Sequence, residues 1–297
     1  MAKQVISIDD LSDGDISRLF FAARSLQVRK RSIEENAILL TAFFEPSTRT
    51  RLSFSVAAMN LGFKVLDFDP QSSSLSKGET FMDTLQTIAC LGASVLITRT
   101  KMSLSKEMLS SLPLALINGG DGCNEHPSQA LLDAFTLLNT WRTDDLVNKN
   151  ILIIGDIATS RVAHSNIKLL RRLGARVSVL VPPYFASPKI PYDDVEYFDD
   201  FTKLPGNIDA VMVLRIQKER MEKALKISDD EYFSRYALNI ERFLALGPDC
   251  VLLHPGPQNL GIEIDEESAQ HPRSLIKEQV KNGVSLRAAL IDHCTTV

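Results

Sequence analysis

The chain has 297 residues, enough for two ordinary domains or one large one with a sizeable core. With 44% hydrophobic and 24% charged residues it reads as globular and soluble, and a net charge of −4 excludes a general nucleic-acid binder, which would carry a basic surplus. Any anion site must therefore be local.

In chain order, residues 1–15 read MAKQVISIDDLSDGD, with acids where a signal peptide would be apolar, and no apolar run reaches the length of a membrane span. The expectation is a cytoplasmic protein without a membrane partner. Short apolar runs then alternate with segments of helical period, the pattern of α/β folds whose parallel sheets carry helices on both faces. Strands are expected over residues 37–44, 64–69, 94–98, 114–118, 151–156, 176–181, 210–214 and 250–254. Between them, Phe81, Leu85, Ile88 and Leu91 recur at helical spacing ahead of Gly92, and Val162, Ile167, Leu169, Leu170 and Leu173 do the same ahead of Gly174. The polar stretch WRTDDLVNKN, residues 141–150, marks the junction between two α/β halves. Cys90, Cys123, Cys250 and Cys294 are far apart, lack a CxxC or Cys/His spacing, and are expected as reduced, mostly buried thiols with no zinc site or disulfide.

Ligands of open parallel sheets bind beyond the carboxyl ends of the strands, so the residues following each strand carry the functional information. Ser47, Arg49 and Thr50 follow the first expected strand, Ser74 and Lys77 the second, Arg99 the third and His126 the fourth. In the second half Arg161 follows residues 151–156, Arg215 and Gln217 follow 210–214, and His254 with Pro255 follows the last strand. One arginine at a strand end is usually a solvated side chain. Several at one edge repel one another and call for an anion.

The stretch FFEPSTRTRLSF, residues 43–54, admits two readings. Ser47 as N-cap after Pro46 would make an ordinary helix start; the same helix end, with its unpaired N–H groups, Arg49 and the hydroxyls, would also cradle an anion. His126 in HPSQ likewise fits either a polar helix-start residue or a neutral donor to a carbonyl oxygen, since a helix N-terminus disfavours the imidazolium. No GxGxxG follows residues 151–156 and no GxxxxGK[ST] occurs, so the anion is not expected to be a dinucleotide or nucleoside triphosphate.

STRTR, HPSQ, RIQKER and HPGP, in this order and spacing, resemble the aspartate branch of the aspartate/ornithine carbamoyltransferase family over nearly the whole chain. The first two elements are common to the family; Arg215 and Gln217, with Pro255 and Gly256, look like the aspartate branch, as does Glu45. The resemblance implies two domains, each a parallel sheet flanked by helices and joined by interdomain helices. Residues 1–130, with 282–297 returning as a helix, would bind carbamoyl phosphate, and residues 131–281 aspartate. The implied reaction moves the carbamoyl group from carbamoyl phosphate to L-aspartate, giving N-carbamoyl-L-aspartate and phosphate in pyrimidine biosynthesis.

Carried over by the resemblance, Ser47, Thr48, Arg49 and Thr50 would hold the phosphate and Arg99 would bridge it to the carbonyl oxygen. His126 and Thr50 would polarise that carbonyl, while Gln129, Pro255 and Gly256 would accept from the carbamoyl amine. Arg161, Arg215 and Gln217 would grip the aspartate carboxylates, with Ser74 and Lys77 reaching in from a neighbouring subunit of a homotrimer with shared sites. Glu45 would contact Arg161 or Arg220 on domain closure. Direct attack of a neutral amine needs a stabilised oxyanion and a neutralised leaving group, so no covalent intermediate, cofactor or metal is expected. The resemblance leaves open whether a regulatory chain or a dihydroorotase-like partner assembles on the trimer. Two rivals are a carbamoyltransferase using another amine, which would alter Arg161, Arg215 or Gln217, and a silent scaffold homologue, which would have lost some of Arg49, Lys77, Arg99 or His126. Leu260 stands where many relatives have an arginine, SLSK is one residue shorter than in some, and Gly256–Pro257 is a candidate cis bond.

Overall fold

The computed structural model describes residues 3–25, 37–185, 192–217 and 228–296. It divides into two compact units, Met1–Phe135 with Val280–Val297 (unit 1) and Thr136–Gln279 (unit 2).

In unit 1, β1 (Gln4–Val5), β2 (Ile38–Phe43), β3 (Lys64–Phe68), β4 (Ala93–Thr100) and β5 (Ala115–Asp121) form one sheet in the order β1-β5-β4-β2-β3. Every pairing is parallel. The central strands are apolar on both faces, as a sheet covered twice requires: Val95, Leu96 and Ile97 of β4 are fully buried, and so are Leu116 and Ile117 of β5. Each such side chain contributes roughly 1.5–3 kcal/mol relative to exposure.

Unit 2 repeats the design with β6 (Asn150–Ile154), β7 (Arg176–Leu180), β8 (Glu196–Phe198), β9 (Ala210–Val213) and β10 (Val251–Leu253) in the order β10-β9-β6-β7-β8. All its pairings are parallel too. All eight expected strands are therefore present, and two short ones, β1 and β8, are added at sheet edges.

After α1 (Asp13–Arg24), the helix α2 (Arg49–Leu61) departs from expectation at its start. Ser47 is not its N-cap. Thr48 occupies the cap position with helical dihedrals, φ −85° and ψ −56°, and makes no side-chain cap bond, because a residue already turned into the helix cannot fold its hydroxyl back over the first turn. Gly62, at φ 96°, ends the helix in the left-handed conformation that glycine adopts without strain. By contrast α3 (Phe81–Cys90), which the short α4 (Lys106–Leu109) follows, opens on a complete capping box between Thr80 and Asp83.

Two helices run across the division between the units: α5 (Pro127–Trp141) and the last helix, Ile276–Thr295. The final stretch of the latter completes the core of unit 1. Arg287 is buried there, its guanidinium 5.2 Å from the Phe54 ring centroid, and desolvation pulls its pKa down to about 10 against the opposing charge of Asp133.

The expectation of mostly buried thiols holds for only half of them. Cys250 and Cys294 are buried and pushed up to about 12 by desolvation, whereas Cys90, the last residue of α3, and Cys123, in the turn after β5, are exposed. All four are free.

Candidate active site

Parallel strands bring their carboxyl ends to one edge, and in unit 1 that edge collects the expected residues from β2, β4 and β5. Phe43 of β2 lies in register with Arg99 of β4, and the Phe44 N–H donates to the Arg99 carbonyl at 2.8 Å. This neighbouring pair fixes where the next residues can go. Arg99 Nη1 donates to Ser47 Oγ at 3.4 Å, and its Nε lies 3.6 Å from Glu45 Oε2. Glu45 thus sits beside an arginine of its own unit; Arg220, the other closure residue, lies outside the described residues.

Arg49 is exposed at the first position of α2, while Thr50 is buried with its Oγ1 3.4 Å from His126 Nε2. Arg51, the second arginine of the motif, is accounted for differently: it forms an ion pair with Asp67 of β3 at 3.2 Å. Ser74 and Lys77 lie on an exposed 3-10 turn, Ser74–Lys77, capped by Ser73.

His126 is held by the turn that precedes it. Asp121 accepts from the Asn118 amide at 2.7 Å, the Glu125 N–H at 3.0 Å and the Leu104 N–H at 2.7 Å, while Glu125 accepts from Ser7 Oγ at 2.5 Å and the Ile8 N–H at 3.1 Å. Buried carboxylates are tolerated only with such donors, and these lock the turn. The turn also needs Gly122, at φ 46°, where a Cβ would approach the Lys101 carbonyl oxygen to 2.8 Å.

One turn into α5, the Gln129 amide donates to Asp133 at 2.8 Å. One N–H of that amide is thereby committed, and its carbonyl oxygen is the group's acceptor.

In unit 2, Arg161 is buried at the first position of α6 (Arg161–Arg172), whose N-cap Ser160 accepts from the Ala163 N–H at 3.2 Å. Asp156 braces the preceding loop by accepting from the backbone and hydroxyl of Thr159. Arg215 and Gln217 are half-buried either side of Ile216, which is buried. Gly256–Pro257 is cis, and the Gly256 N–H donates to His254 Nδ1 at 2.9 Å.

Sequence reasoning had left His254 without a role and overlooked Glu263, Asn259 and Asp133 entirely. A buried carboxylate in GIEID has no distinguishing spacing. Its importance comes from the donors gathered on it, Asn259 and His254 from nearby and Ile216 from a distant segment. Asp133, four residues after Gln129 on one helix face, was within reach of an i,i+4 argument. Among the described residues no cluster of His, Cys, Asp and Glu is arranged to hold a metal ion, and no helix is long and apolar enough to cross a membrane.

Two parallel-sheet units, the first with guanidinium, hydroxyl and imidazole groups gathered at its strand ends, define an α/β protein built to hold a small anion through side chains. Residues 3–139 match the family model described as aspartate/ornithine carbamoyltransferase, carbamoyl-P binding domain, and residues 147–294 match the Asp/Orn binding domain. The chain belongs to the aspartate/ornithine carbamoyltransferase family. It is 40% identical over 298 residues to the aspartate carbamoyltransferase catalytic subunit of Acidiphilium cryptum, covering 98% of this chain and 95% of that one. It is 38% identical over 297 residues to the corresponding subunit of Listeria innocua, again covering 98% and 95%. The crystal structure of aspartate transcarbamoylase from Trypanosoma cruzi in complex with carbamoyl phosphate superposes with a TM-score of 0.86 at 27% identity, covering 100% of this chain and 96% of that one.

Proposed function

We propose that this chain is a catalytic chain of aspartate carbamoyltransferase, transferring the carbamoyl group of carbamoyl phosphate to L-aspartate in de novo pyrimidine synthesis. The observation that carries the reading is the set Ser47, Thr50, Arg99 and His126 at one sheet edge of unit 1, where the Arg99 guanidinium lies 3.4 Å from the Ser47 hydroxyl and the Thr50 hydroxyl 3.4 Å from the His126 imidazole. That set suits a phosphate with a carbonyl attached.

The phosphate is held by Ser47, Thr48, Arg49 and Thr50 with the first N–H groups of α2, and Thr48, having no cap bond, leaves those N–H groups to the ligand. Arg99 spans phosphate and carbonyl oxygen. His126 and Thr50 donate to the carbonyl oxygen as it gains charge, and Gln129, Pro255 and Gly256 accept from the carbamoyl amine. Arg161, Arg215 and Gln217 bind the aspartate carboxylates. The neutral amine attacks the carbonyl carbon, the new C–N bond forms, the C–O bond to phosphate breaks, and the departing phosphate can take the amine's proton.

Ser74 and Lys77 act in a neighbouring copy within a homotrimer. The exposed residues Leu52, Val56 and Met59, spaced along one face of α2, and Leu66 on the edge strand β3 favour self-association there. On such a trimer a regulatory chain or a dihydroorotase-like partner could assemble, and the location that fits this role is the cytoplasm.

The deciding experiment assays the purified chain with carbamoyl phosphate and aspartate, ornithine or putrescine in parallel, alongside light scattering. Carbamoyl-aspartate from trimeric protein is the expected result; product with ornithine but not aspartate would overturn the acceptor, and a monomer active at full rate would overturn the shared sites.

A further inference from the structure

Glu263 is 1% exposed and carries no role in the reaction as set out above. A carboxylate so buried is tolerated only if donors surround it, and three do. Its Oε1 accepts from the Asn259 N–H at 2.6 Å and lies 3.3 Å from His254 Nε2, while its Oε2 takes the Ile216 N–H at a longer 3.4 Å.

The His254 ring, 2% exposed, stands between this carboxylate and the turn it faces. An amide N–H can only donate, so the 2.9 Å contact from the Gly256 N–H makes His254 Nδ1 an acceptor and puts the ring proton on Nε2, directed at Glu263. The carboxylate therefore sets the tautomer that the Gly256 turn requires. The backbone N–H of His254 is fixed separately by Gln279 Oε1 at 3.0 Å.

The same segment grips the chain just beyond β9. Asn259 Nδ2 donates to the Ile216 carbonyl at 3.0 Å, so both backbone groups of Ile216 are bound by residues 259 and 263. Ile216 is buried between the half-buried Arg215 and Gln217, so fixing its backbone fixes where those two side chains leave the chain.

We propose that Glu263 is a positioning residue that couples the His254–Pro257 turn to the Arg215–Gln217 segment, holding the carbamoyl-amine acceptors and the aspartate ligands of unit 2 in one register. This rests on the assignment of Pro255, Gly256, Arg215 and Gln217 to substrate. Its chemical content is specific: the position needs an acceptor at both oxygens, and a residue of equal size with one acceptor should fail.

The test compares wild type with Glu263→Gln for aspartate KM, kcat and the binding of inorganic phosphate, whose ligands lie in unit 1. The Gln amide turns a donor towards at least one existing donor. The expected result is a loss of about 10- to 100-fold in kcat/KM for aspartate, the range typical of residues that orient ligands, with phosphate affinity within about twofold of wild type. In 15N spectra His254 should be a neutral ring protonated at Nε2 in wild type and should lose that signature in Glu263→Gln. Unchanged aspartate kinetics, or phosphate binding that weakens in parallel, would overturn the proposal. Should Glu263→Gln fail to fold, Asn259→Ala, at a half-buried position, removes the tie to the Ile216 carbonyl alone. A rise in aspartate KM of about threefold or more is then expected, and no rise would overturn it. A wild type that makes no carbamoyl-aspartate while His254 shows the Nε2 tautomer would refute the assigned activity and leave the coupling of the two segments standing.

Discussion

The two units share a five-stranded parallel plan but prepare their strand ends differently. Unit 1 presents side chains from compact sequence motifs: Arg49 stands exposed at a helix start, and Arg99 leans on Ser47 and Glu45. Unit 2 presents a buried Arg161 and a main-chain turn whose shape depends on a carboxylate several residues away. An anion with concentrated charge can be met by cations and helix-start N–H groups, whereas an amine and a dicarboxylate must be aligned for attack, which calls for a stiffer frame.

The difference can be broken most severely at Arg99. Arg99→Ala should lower kcat by about 100- to 1,000-fold, the loss seen when one donor to a developing oxyanion is removed; steady-state assays at saturating aspartate measure it. Complementation comes next. Arg49→Ala and Lys77→Ala chains, each inactive alone, should regain activity in about a quarter of the sites after random mixing if trimers share sites, and no recovery after demonstrated subunit exchange would refute sharing.

A smaller effect isolates the support beneath His126. Gly122→Ala imposes a Cβ at φ 46° against the Lys101 carbonyl oxygen and should cost about 1–3 kcal/mol in urea unfolding. Activity should fall through kcat, because the turn it distorts carries the imidazole. If instead aspartate KM alone rises, unit 1 does not work by side-chain placement as described.

The mildest probe sharpens the comparison without mutation. Cys90 and Cys123 are exposed in unit 1, while Cys250 and Cys294 are buried with pKa values pushed up to about 12. A thiol reagent at pH 8 should therefore modify two groups quickly and the other two only on unfolding. Fast reaction at Cys250 would mean that the strand β10 opens more readily than its burial implies.

Most of the fold was legible because long apolar runs bounded by turns leave few alternatives; β2, β4, β6 and β9 are of this kind. The strands that escaped, Gln4–Val5 and Glu196–Phe198, are two and three residues long and lie at edges, where pairing with one neighbour suffices and no hydrophobic run is needed. Ser47 was misjudged as a cap because composition cannot reveal that Thr48 already has helical dihedrals. The site divides in the same way. STRTR and HPSQ could be read locally, and the coupling through Glu263 could not, since Ile216 meets it only after folding.

The discontinuity of unit 1 bears on biosynthesis. Residues 136–279 form an unbroken run and can close their sheet as soon as they leave the ribosome. The half made earlier has all its strands by Asp121 but not its core: the face of Phe54 that stacks on Arg287 stays bare until the last helix emerges. A nascent chain stalled before residue 280 should accordingly present its first-made half, rather than its most recent, to chaperones and proteases.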